Sequence, residues 1–127
     1  MNVGTFEALV DKYFRRQAQV MHHKAKEYAD DTDLLRNFKL AAQLQGVTPR
    51  QALGGMLAKE LISVFDLINE REIAPEHIWD QKLGNASNYL GLLRALAAEE
   101  LTNQQLAQAQ SEPRLVIDNN PQETPGA

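Results

Sequence analysis

Apolar residues recur at spacings of three, four and seven along most of this chain, the period of a helix face rather than a strand. Phe6, Leu9, Val10, Tyr13, Phe14, Met21 and Tyr28 place a first helix from about Thr5 to about Ala29, with Thr5 as its N-cap. The acidic cluster Asp30, Asp31 and Asp33 ends it, and Thr32 or Asp33 can cap the next helix. That second helix, about Leu34 to Gln45, carries Leu35, Phe38 and Ala42 on one side and stops at Gly46.

Thr48-Pro49-Arg50-Gln51 is the clearest local signal, an N-cap threonine, a proline in the first turn and a glutamine closing a capping box. It opens a third helix from about Pro49 to about Glu70. Gly54-Gly55 within it costs about 1 kcal/mol per glycine relative to alanine and predicts close backbone approach or a bend. Pro75 opens a fourth helix that reaches about Gln108, where Gly84, Ser87 and Gly91 form a stripe of small side chains that another helix can approach. The tail from Ser111 has three prolines and little apolar content apart from Leu115-Val116-Ile117, so it reads as disordered. The expectation is an all-α, roughly four-helix antiparallel bundle over residues 1–110 with a disordered tail over 111–127.

Charges interrupt the apolar stripes. Glu60 lies among Met56, Leu57, Val64 and Leu67; Lys24 follows Phe6, Val10, Tyr13 and Met21; Lys82 falls among Trp79, Ala86, Tyr89 and Leu93. An inward charge is costly unless paired or bound. Two readings stay open: a Glu60–Lys82 ion pair, or a polar pocket in which lysine meets phosphate and Glu60 meets a metal or a base edge. Asn85 and Asn88 disfavour a helix interior by propensity, which suggests hydrogen bonding to a neighbouring helix or to a ligand. Lys59 and Asp66, seven apart, share a second face with Ile62 and Phe65 near it; that face is either solvated or self-associating.

Composition narrows the classes. With 17 acidic and 13 basic side chains the net charge is −4, which opposes a nucleic-acid backbone binder. No cysteine is present, so disulfides, thiolate metal sites and thiol catalysis are excluded. Adjacent His22 and His23 point apart on a helix and argue against a histidine metal site. No apolar run matches a membrane span and no secretory leader is seen, so a cytoplasmic protein is expected.

Between Met21 and Ala98 an ordered series of short motifs carries a family resemblance. They are Lys24-x-x-Glu27-Tyr28, Arg36-Asn37-Phe38-x-x-Ala41-Ala42, Gly46-Val47-Thr48-Pro49, Leu57-Ala58-Lys59-x-x-x-Ser63 and Asn85-x-x-Asn88-Tyr89-x-x-Leu92-Leu93. The series resembles small helical phage and prophage proteins of the nucleotide modification associated type, distantly similar to MazG-type all-α NTP pyrophosphohydrolases. The resemblance implies a phage-derived protein of the host cytoplasm that binds a nucleotide or a nucleotide-like ligand. Lys24, Glu27, Tyr28, Glu60, Lys82, Asn85, Asn88 and Tyr89 would contact the ligand, and Glu60, Glu27 and Asp66 would hold magnesium if a metal takes part. The related enzymes use paired carboxylate motifs. Here the one Glu-x-x-Asp runs from Glu27 to Asp30, and Asn85 stands where related proteins tend to carry aspartate. The alternatives are a magnesium-dependent nucleotide pyrophosphohydrolase and a phage inhibitor that binds a host protein or sequesters a signal. Homo-oligomers are compatible with each.

Overall fold

The computed structural model describes residues 1–27 and 33–111. Four α-helices account for most of them: α1 (Val3–Glu27), α2 (Arg36–Gln45), α3 (Pro49–Ile68) and α4 (Glu76–Ser111). Among the described residues no strand forms, and no helix is long and apolar enough to cross a membrane. Two compact units divide the chain, residues 1–97 and residues 98–127. In the second, the described part is the end of α4, residues 98–111, exposed from Leu101 onward. The apolar segment Leu115-Val116-Ile117 lies outside the described residues.

Local chemistry sets the helix ends. The Thr48 hydroxyl accepts from the Gln51 amide at 3.2 Å, while the Gln51 side chain accepts from the Thr48 amide at 2.9 Å, so the expected capping box forms. Gly46 adopts a left-handed φ of 71° and its amide closes on α2 carbonyls, the conformation that makes glycine the preferred stop. At the start of α1 the cap is Asn2 rather than Thr5: its side-chain oxygen accepts from the Thr5 amide at 2.8 Å. Asparagine and threonine cap comparably well, so the sequence alone leaves this choice open. The N-cap of α2 is Leu35, with no side-chain cap, rather than Thr32 or Asp33; Asp33 forms the turn before it, accepting from the Leu35 amide at 2.9 Å and pairing with Lys39 at 2.5 Å. The Lys39 ammonium, together with the Leu35 amide, holds the Asp33 carboxyl below its usual value.

The core of the first unit is small. Leu53 and Leu96 are fully enclosed with Leu35 beside them, and Phe38, Leu92 and Leu93 pack around the three. Leu53 meets Leu96 at one end, and Glu60 shares a cleft with Asn85 and Asn88 further along, so α3 and α4 run antiparallel. α1 lies along α4 in the same direction: Gln17 packs on Gly84 and Met21 on Gly91. The Tyr13 hydroxyl hydrogen-bonds Ser87 between them, so the small-residue stripe of α4 receives α1. A Cβ on Gly84 would sit 2.9 Å from the Gln17 amide nitrogen, and one on Gly91 would run into the end of Met21. Of the close approach or bend expected at Gly54 and Gly55, the close approach is not made, because a Cβ at either would meet nothing within 4 Å. Neither glycine supports a close approach among the described residues.

Candidate functional site

Two concave surfaces lie within the first unit. The larger, about 660 Å³, runs between the first half of α1 and the start of α4, walled by Leu9, Val10, Tyr13, Ile73, Trp79 and Leu83. At its edge Arg16 and Asp80 neutralise each other at 2.9 Å, and the Trp79 indole donates to the Ala74 carbonyl, so much of its polar capacity is already used. The smaller cleft, about 410 Å³, has the richer chemistry. Its volume falls in the range of roughly 300–1,000 Å³ typical of small-molecule sites.

Four helices contribute to that cleft. α4 supplies Asn85, Asn88 and Tyr89; α3 supplies Glu60; α1 supplies Lys24 and Met21; α2 supplies Asn37 and Phe38. The geometry follows from helical phase. Asn85, Asn88 and Tyr89 lie within one turn and share a face, with Leu92 extending it by a further turn. Tyr89 is fixed edge-to-face against Phe38, with ring centres 6.4 Å apart and an interplanar angle of 78°. Asn88 is 7% exposed, and among the described residues its side-chain oxygen has no hydrogen-bond partner. Leaving a buried amide oxygen unpaired costs about 1–3 kcal/mol, which makes Asn88 the lining residue with an unmet acceptor among the described residues. Glu60 and Asn85 are half-buried in the walls, and Lys24 stands exposed at the rim.

Five of the eight residues expected at a ligand site therefore meet in one place: Lys24, Glu60, Asn85, Asn88 and Tyr89. Lys82 is half-buried on α4 but does not line the cleft, and among the described residues no ion pair joins it to Glu60. The side chain of Glu27 and the whole of Tyr28 lie outside the described residues. Asp66 projects from the exposed side of α3, six residues and about 120° of helical phase from Glu60, so the two are not brought together. Among the described residues, Glu60 is the one carboxylate lining the cleft, and no group of three histidine, aspartate or glutamate side chains is placed to hold a metal. Magnesium favours oxygen ligands in a near-octahedral shell, usually with one or two carboxylates. Among the described residues, Glu60 with two neutral amides and a nearby ammonium is a poor match for it.

Asn37 and Phe38 were not among the expected ligand residues. Phe38 lies on the apolar side of α2 with Leu35 and Ala42, but nothing in a 10-residue stripe shows that this side also borders a cleft. Gln17 is a second buried polar group, 7% exposed with an unpartnered oxygen, and it packs on Gly84 away from the cleft lining.

Fold and site together define an all-α helical protein with a mixed polar and aromatic cleft between its helices. Compared with known protein families, curated proteins and solved structures, the chain matches none.

Proposed function

We propose that this protein binds a nucleotide or a nucleotide-like small molecule in the cleft formed by α1 to α4. The observation that carries the reading is the unpartnered, buried Asn88 oxygen beside Tyr89, Asn85 and Glu60, with Lys24 at the rim. A nucleobase offers N–H donors for Asn88 and Glu60 and a flat face for Tyr89 or Phe38. A phosphate suits the exposed Lys24 ammonium. The resemblance to phage proteins linked to nucleotide modification supports the same ligand class, and a cytoplasmic location belongs to the proposal.

The test is a thermal-shift screen against ribo-, deoxyribo- and cyclic nucleotides, with and without magnesium. A ligand at about 100 times its Kd adds roughly 2.7 kcal/mol of stability. Glu60→Ala and Asn88→Ala should abolish the shift, while Lys82→Ala, outside the cleft, should leave it intact. A panel that produces no shift, or a shift untouched by Glu60→Ala and Asn88→Ala, would exclude this site. Magnesium-dependent pyrophosphate release, lost in Glu60→Gln, would convert the binding protein into a hydrolase. The competing reading, a module that binds a host protein, draws on the exposed side chains Val3, Phe6 and Phe14 of α1. It predicts host-protein capture that survives Glu60→Ala and fails in Phe6→Asp.

A further inference from the structure

α3 is apolar on both of its sides, yet the described residues cover one. Leu53 and Leu67 are buried on the inner side. On the opposite side Leu61, Ile62, Phe65 and Ile68 are open to solvent, Ile62 at 63% and Phe65 at 59%. A helix that is apolar around its circumference belongs in an interior. The same outer strip continues toward the helix start as Ala58 and Gly55, both exposed, with open space where a Gly55 side chain would be. Large residues thus occupy the C-terminal half of the strip and small ones the N-terminal half. Lys59 and Asp66 flank the strip on a single edge, seven residues apart and therefore two turns apart.

We propose that this face pairs with the same face of a second copy, α3 against α3 in antiparallel register about a twofold axis near Ile62. A twofold interface requires each residue pair to occur twice, with roles exchanged. Antiparallel register satisfies that requirement in both shape and charge. Phe65 of each chain lies over the Ala58 of the other, Ile68 lies near Gly55, and Ile62 meets its own copy at the axis. In an antiparallel helix pair the same edges of the two helices face each other. Lys59 of each copy is therefore set against Asp66 of the other, and both ion pairs form at once. A parallel pair would set this edge against the other edge, and the two charges would not meet. This assignment also gives Asp66 a role that the cleft does not.

Sedimentation of the full chain tests the interface. The wild-type protein is expected at twice the 14.2 kDa chain mass. Ile62→Asp, at an exposed position, should give a monomer of unchanged helicity by circular dichroism. Lys59→Asp and Asp66→Lys should each weaken dimerisation about tenfold or more, because each places like charges together twice. The double variant Lys59→Asp/Asp66→Lys should restore it, since the exchanged charges pair again. A wild-type chain that stays monomeric would overturn the proposal, as would a dimer indifferent to Ile62→Asp. A double reversal no better than the single ones would overturn the antiparallel register.

Discussion

Leucine in place of Asn88 keeps the approximate size of the side chain and removes its amide. The Asn88 oxygen is buried and unpartnered, so the ligand-free protein bears a desolvation cost that leucine does not. Asn88→Leu should raise the stability of the ligand-free protein by about 1–3 kcal/mol, read by urea denaturation, and abolish the nucleotide-dependent thermal shift. A destabilised variant would mean that the amide is satisfied in solution and that the cleft has no need of a donor. Gain of stability with loss of binding is the expected signature of a functional polar group. Part of this chemistry was legible in the sequence. Glu60 stands out because it breaks an apolar period with a group that is costly to bury, and Asn88 because asparagine is disfavoured inside a helix. Lys82 breaks a period too, but a long lysine stem can cover apolar surface while its ammonium lies elsewhere, so its stripe position did not locate its charge. Phe38 reads in the sequence as part of the apolar side of the second helix, and its pairing with Tyr89 becomes visible only when α2 and α4 are brought together.

At the scale of the elements, two glycines of α2 and α3 make opposite predictions. Gly46 has φ of 71°, so Gly46→Ala should destabilise the protein by about 1 kcal/mol through left-handed strain. Gly54 sits inside α3 with nothing within 4 Å of its missing Cβ, so Gly54→Ala should stabilise by about 0.5–1 kcal/mol. Thermal melts of the two variants against wild type read both signs; a destabilising Gly54→Ala would reveal a close approach that the single chain does not make. The capping box at Thr48 and the stop at Gly46 were readable because both are set by a few adjacent residues. The beginning of α1 was less so. Asn2 and Thr5 are both competent caps, and choosing between them depends on where the backbone enters the helix.

For the molecule as a whole, helical periodicity identifies faces without naming what covers them. It indicated that Phe6, Val10 and Tyr13 share a side of α1, but not that α1 would lie along α4 in the same direction, with Phe6 left open to solvent. Nor could it tell whether the second apolar side of α3 would be covered within the chain. The enclosed core around Leu35, Leu53 and Leu96 is modest for the first unit, and Ile62, Phe65 and Ile68 leave comparable apolar side chains in water. If a second copy covers them, stability becomes a property of protein concentration, because folding and association share the same free energy. Raising the concentration about 100-fold contributes roughly 2.7 kcal/mol per dimer, enough to lift the melting temperature by several degrees. Ile62→Asp should flatten that dependence and melt at the temperature of the isolated chain. A melting temperature independent of concentration in the wild type would mean that the first unit is stable on its small core alone, and that the outer face of α3 contributes nothing to holding the fold together.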